Sequence, residues 1–405
     1  MLQLLQYMNP LSRTAVSFPD TGYLSLPRPV TMPFPNAIFT GAFLTWALAF
    51  SGAWARNRFT PPPHYRDYFY IGGGYVSDGA GGHIFQDQMY VEHLVPEKRA
   101  KGKYPLVLIH GKAMTGSNFL QTPDGRKGWA SYFLEKGYEL YIVDQPTRGR
   151  SAWNPKELSV TTYPAELLSQ RFTAVKQYNL WPQASKHTQW PGTGMMGDLV
   201  YDAFYASTVQ FLANDTEAQI KMKAAATALL DEVGEAIVIT HSQSGLYGWP
   251  LADARPKLVK AIIALEPTGP PFREAVFQNK AARPWGLTDI AMTFEPSVST
   301  ASEIQIQEYI PEKPDLVPCL LQKEPAKKLK NLKNTPILVV TSEAGYHAAY
   351  DHCSVAFLKQ AGCSKTEFMR LEAVGIRGNS HMFFMEKNNL DIAEKLVHWI
   401  KKETE

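Results

Sequence analysis

Cysteine is nearly absent from this sequence: Cys319, Cys353 and Cys363 are the only three in 405 residues. That scarcity excludes a disulfide-stapled scaffold, so a hydrophobic core must hold the chain together. Cys353 and Cys363 are a candidate pair, and buried free thiols are an equal reading. Zinc-like spacing is lacking too. His347 and His352 are spaced five apart, not four as in HExxH, and are read as non-ligands. Charge of one sign is missing: 41 basic against 38 acidic residues leave a net charge of +3. Nothing there steers a polyanion, and no nucleic-acid partner is expected. The one basic cluster, Lys327, Lys328, Lys330 and Lys333, reads as a solvated face. A dinucleotide fingerprint is absent as well. Gly72 to Gly74 and Gly79 to Gly82 precede a strand rather than a helix, and read as hairpin turns. No cofactor and no metal are expected.

What is present is an ordinary globular composition, 45% hydrophobic and 20% charged, behind an unusual head. Residues 37–55 read AIFTGAFLTWALAFSGAWA without a charge, closed by Arg56 and Arg58. At about 1.5 Å per residue, this run approaches the ~30 Å thickness of a bilayer core. It is read either as a membrane anchor or as a signal peptide ending at Ala53-Trp54-Ala55, the latter best if translation starts at Met32. An apolar helix packed on the body is the third reading. The expected location is therefore the membrane or the secretory pathway. A sequon at Asn214-Asp215-Thr216 is compatible with secretion. Pro61-Pro62-Pro63 separates this head, 1–60, from a body spanning 61–405.

In the body, strands are expected near 65–70 and 88–94. From Leu106 an alternating β/α rhythm begins, which argues for a mostly parallel sheet flanked by helices. Strands are predicted at 106–109, 139–143, 258–265, 336–341 and 367–371. Helices are predicted at 128–136, 224–233 and 390–402. Between 155 and 223 the rhythm fails in a stretch rich in Trp, Pro, Gln and Tyr. It is too long for a plain loop and reads as an inserted cap.

The most informative stretch is Ala236-Ile237-Val238-Ile239-Thr240-His241-Ser242-Gln243-Ser244-Gly245. A β-branched run ends in a serine flanked by small residues, and a helix-like segment follows at once. This is the layout of a nucleophile elbow, although Thr240 and Ser244 replace the glycines of G-x-S-x-G. An elbow serine needs a base, an acid and an oxyanion hole. His110-Gly111-Lys112 follows the first parallel strand, so the backbone N–H groups of Lys112 and Gln243 are the candidate oxyanion donors. His381 lies in a loop between the last strand and the last helix and is the candidate base. Two carboxylates stand at strand ends as candidate acids, Glu266 and Glu343. The residues alone leave both open. Phe119, Trp190 and Met382 are candidate linings of a substrate pocket, with core packing as the competing role.

Longer blocks carry a resemblance: HGKAMTGSNFLQTPDGRKGWASYFLEKGYELYIVDQPTRGRS, QWPGTG, THSQSG, ADARPKLVKAIIALEPTGPPF and ARPWGLTDI. They resemble the bacterial secreted carboxylesterases of the esterase 713 type, within the α/β-hydrolase superfamily, from about Tyr65 to the C-terminus. The resemblance implies the α/β-hydrolase fold with a cap, a homodimer, and Ser242, Glu266 and His381 as triad. It departs at Lys112 and Ala113, where a member of that family carries adjacent cysteines. The chain also looks like a fungal relative of the sort found among secondary-metabolite enzymes. The expected activity is hydrolysis of an ester or lactone. Two readings compete with it: carbon–carbon cleavage, cyclisation or condensation of a polyketide-like substrate at the same site, and a non-catalytic binding protein of the same fold.

Overall fold

The computed structural model describes residues 59–98, 104–154 and 159–404. The apolar stretch 37–55, with both readings attached to it, lies outside the described residues, as does the start of the irregular stretch at 155–158. Among the described residues no helix is long and apolar enough to cross a membrane.

Eight strands form one sheet: β1 (His64–Ile71), β2 (Met89–Pro96), β3 (Leu106–Ile109), β4 (Leu140–Asp144), β5 (Ala236–His241), β6 (Val259–Leu265), β7 (Ile337–Thr341) and β8 (Thr366–Arg370). Their order across the sheet is β1-β2-β4-β3-β5-β6-β7-β8. β2 pairs antiparallel with both β1 and β4, and every later pairing is parallel. Every residue of β3, β4, β5 and β7 is buried, as expected of parallel strands covered on both faces. The side chains alternate between two cores. Leu106, Leu108, Ile237, Ile239 and Ile263 enter one, while Val107, Ile109, Val238 and Ile262 enter the other.

Helices α1 (Trp129–Glu135) and α5 (Asn389–Thr404) cover the first face. On α5 the buried residues Ile392, Ala393, Leu396, Val397, Trp399 and Ile400 make one apolar stripe. Helices α2 (Asp215–Val233), α3 (Gly245–Ala254) and α4 (Asp351–Gln360) cover the second face. This is the α/β-hydrolase architecture, and it gathers the C-terminal strand ends along one rim, where open α/β sheets place their ligands.

Three features differ from the sequence reading. First, α2 starts at Asp215, not at 224, because the Asn214 side chain accepts the Thr216 and Glu217 N–H groups and caps it there. Second, the chain between β6 and β7 is a long excursion carrying two small antiparallel pairs, Phe294–Glu295 with Lys328–Leu329 and Ile306–Tyr309 with Cys319–Gln322. Third, Cys353 pairs with Cys319, not with Cys363, which stays a buried free thiol. Cys353 lies in the first turn of α4 and Cys363 lies just beyond its end. At a rise of about 1.5 Å per residue that helix holds them too far apart to bond.

Candidate active site

Ser242 follows the last residue of β5 with φ +57°, a left-handed conformation that side chains rarely adopt. Such a residue costs about 1–3 kcal/mol and persists only where its surroundings enforce it. Here Ser244 Oγ accepts the His241 N–H at 2.7 Å and donates to the Ile109 carbonyl at 2.8 Å. The Thr268 N–H donates to the Ser242 carbonyl at 3.0 Å. A Cβ on Gly245 would stand 2.4 Å from the Pro267 Cβ, so only glycine lets α3 begin this close to the turn. The serine is 8% exposed and lines a cavity of about 280 Å³.

The His110-Gly111-Lys112 turn after β3 comes up beside it. A Cβ on Gly111 would lie 3.2 Å from the Ser242 Cβ and 2.9 Å from His241 Nδ1. The His110 ring is buried and accepts the Gln145 N–H at 3.1 Å, and burial pulls its pKa down to about 4. Buried Arg148 ties the turn to the elbow, donating to the Gly111 carbonyl at 3.1 Å and to Gln243 Oε1 at 2.7 Å. Lys112 Nζ donates to Asp215 Oδ1 at 2.8 Å, and Gln243 Nε2 donates to the same oxygen at 2.6 Å. One carboxylate at the start of α2 thus holds the side chains of both candidate oxyanion residues. Arg148 and Asp215 escaped the sequence reading, although Arg148 lies inside the quoted PTRGRS block.

Glu266, immediately after β6, is fully buried, and its Oε2 stands 2.6 Å from His381 Nδ1. The Ser342 N–H donates to the other carboxylate oxygen at 2.8 Å, and the Ser342 hydroxyl donates to it as well. Burial raises the Glu266 pKa. Glu343 is placed differently. It accepts from Arg377 at 3.0 Å and from the Gly378 N–H at 3.0 Å, so it pins the loop that carries the histidine without touching the ring.

That loop is held further by buried Glu386, which accepts from Asn379 Nδ2 at 2.8 Å and from the Ser380 N–H at 3.1 Å. His241 Nε2 donates to the His381 carbonyl at 3.0 Å. The His381 ring lies between Phe172, 4.8 Å away, and His347, stacked at 4.9 Å with 7° between planes. Burial, with His347 beside it, pushes the His381 pKa well below its ordinary value. With Nδ1 donating to a carboxylate, Nε2 is left as an acceptor, and it faces the Tyr346 hydroxyl at 3.5 Å. Tyr346 lines the cavity with Ser242. It was also missed, because nothing in SEAGYHAAY distinguishes it from a core tyrosine.

Phe119, Trp190 and Met382 do not line this cavity. Phe119 is fully buried with its ring 5.4 Å from Phe384, Trp190 packs 5.5 Å from Phe204, and Met382 is fully buried. All three belong to the first core, because apolar side chains beside the site gain more from the sheet than from a half-polar cavity. The cavity walls are instead Tyr163, Leu167, Arg171 and Phe172 from the irregular stretch, and Glu274, Phe277 and Lys280 from the excursion after β6.

No family model matches the chain. A protein of Fungal sp. (strain ATCC 74256) described as "Probable secreted lipase phiG" is 47% identical over 337 residues, which cover 83% of this chain and 89% of that protein. A solved structure described as a novel bacterial esterase superposes with a TM-score of 0.57 at 24% identity, over 86% of this chain and 98% of its own, and so shares the fold. By that extended identity the chain belongs to the family of that fungal lipase, and with the fold it shares with the bacterial esterase it takes its place in the α/β-hydrolase superfamily.

Proposed function

We propose that this chain is a serine hydrolase that cleaves a carboxylic ester or lactone through an acyl-enzyme on Ser242. The observation that carries the proposal is the buried 2.6 Å contact of Glu266 with His381 Nδ1, on a ring whose Nε2 faces the Tyr346 hydroxyl at 3.5 Å, while Tyr346 and a serine strained into the left-handed region line one cavity. In the proposed reaction His381 Nε2 takes the Ser242 proton as Oγ attacks the carbonyl carbon. The backbone N–H groups of Lys112 and Gln243 hold the oxyanion. The tetrahedral intermediate collapses, and His381 hands the proton to the leaving alkoxide. Water then enters, loses a proton to His381 and releases the acid by the same path. Glu266 keeps the imidazole in the Nδ1–H tautomer and stabilises its cation.

The walls around the cavity act in this proposal as the cap, built by Tyr163, Leu167, Arg171 and Phe172 of the irregular stretch and by Glu274, Phe277 and Lys280 of the excursion after β6. The fungal relative is described as secreted. Together with the uncharged run 37–55 and the Cys319–Cys353 disulfide, that description supports entry into the secretory pathway. The test is turnover of short-chain chromogenic esters by the purified chain. Ser242→Ala is expected to lower kcat by about 10⁴-fold or more. A Ser242→Ala protein that turned over at the wild-type rate would end the proposal.

A further inference from the structure

The walls of the cavity hold charges that the hydrolysis itself does not use. Arg171 sits in a five-residue π-helical turn, Ser169–Thr173, closed by the Ala174 N–H on the Ser169 carbonyl at 2.9 Å. Turns of this kind re-aim side chains and occur often at functional sites. This one sets neighbouring residues to two tasks. Phe172 lies against the His381 ring, and the Arg171 guanidinium lies over the Phe277 ring, its carbon 4.0 Å from the ring centroid. Stacking occupies the face of a guanidinium and leaves its N–H donors free along the edge.

Among the described residues no carboxylate stands within ion-pair distance of Arg171 or of Lys280. The wall carboxylates are already engaged. Asp215 is held by Lys112 at 2.8 Å and by Gln243 at 2.6 Å, and Glu274 is held by Arg283 at 2.7 Å. The cavity therefore presents two unpaired cations, one of them preorganised on an aromatic face, in the same space as Ser242. A half-buried guanidinium without an acceptor is a standing cost, which a bidentate ligand carboxylate removes. At about 280 Å³ the space suits a compact acid better than a long acyl chain.

We infer that the substrate is an anionic ester, one bearing a free carboxylate that docks on Arg171, with Lys280 contributing, while its ester carbonyl lies at Ser242. The inference rests on the serine-hydrolase reading and narrows its substrate class. The half-ester of a dicarboxylic acid is the simplest such molecule.

The test compares matched pairs that differ by one free carboxylate, the first sharing its leaving group and the second its acyl group. On the acyl side the pair is mono-p-nitrophenyl glutarate and p-nitrophenyl methyl glutarate. On the alcohol side it is 4-carboxyphenyl acetate and 4-(methoxycarbonyl)phenyl acetate. The full chain is expected to prefer the anionic member of at least one pair by about tenfold or more in kcat/KM, chiefly through KM, and added salt should erode that preference. Arg171→Gln is expected to collapse the ratio, Arg171→Lys to keep part of it, and Lys280→Gln to reduce it. Equal or reversed preference in both pairs, or a ratio that survives Arg171→Gln, overturns the inference. If the neutral esters are turned over in a Ser242-dependent way without anionic preference, the hydrolase reading stands and only the carboxylate assignment falls. The same holds if a fluorophosphonate labels Ser242 but neither anionic ester is hydrolysed. If no ester is turned over and Ser242 stays unlabelled, both fall.

Discussion

Glu266 and Glu343 end neighbouring strands and carry the same carboxylate, yet one reaches the His381 ring and the other its supporting loop. Glu266→Gln is expected to lower kcat by about 10³–10⁴-fold, because the amide disfavours the Nδ1–H tautomer and leaves the imidazolium uncompensated. Glu343→Gln is expected to change kcat by less than about tenfold while loosening the loop through its contacts with Arg377 and Gly378. The wild-type pH profile carries a second signature of the same site. A base works only when neutral, and burial holds the His381 pKa below its ordinary 6.5. The neutral form then persists as pH falls, so kcat/KM should stay flat from pH 8 down to 6.5 and fall off with a midpoint below that value. A midpoint at or above 6.5 would contradict the buried geometry. At this scale the sequence offers Ser242 as a candidate through its small neighbours, and offers two acids because a strand end fixes a direction but not a partner 115 residues away. Tyr346, Arg148 and Asp215 were silent, since each acts only through neighbours remote in the chain.

The turns between elements decide whether the site exists at all. At Gly111 any Cβ would press on Ser242 and His241. Gly111→Ala should therefore lower kcat by about tenfold or more with at most about 1–3 kcal/mol lost from stability, which parallel turnover and denaturant titrations would separate. The β/α rhythm was legible because buried parallel strands read as uninterrupted apolar runs. The cavity walls were not. They are built from a π-turn, short helices such as Val175–Tyr178, and a long excursion, none of which has a period to read. For the same reason Phe119, Trp190 and Met382 were natural choices for a pocket and went to the core. Hydrophobicity marks a side chain for burial without naming the surface that buries it.

Over the whole molecule, one covalent tie joins the α4 side of the site to the excursion. Cys353 lies one helical turn after Tyr350, at the start of α4, and its partner Cys319 follows Val317 and Pro318, which line a second cavity together with Phe277. The bridge spans 34 residues of sequence. Cys353→Ser or Cys319→Ser is expected to cost about 3–4 kcal/mol by loop-closure entropy, with the double variant no worse than either single one. Denaturant titrations of the three variants against the wild type check this, and additive losses would argue against a shared bond. The central sheet of this chain was readable from Tyr65 onward, whereas its cysteine pairing was not, because three thiols do not reveal which two the fold brings together. The central claim remains that Ser242 is the nucleophile, and active-site labelling tests it most directly. The intact chain treated with a fluorophosphonate and mapped by peptide mass spectrometry should carry one adduct, on Ser242, and none in Ser242→Ala. An adduct on another serine, or undiminished labelling of Ser242→Ala, would contradict it.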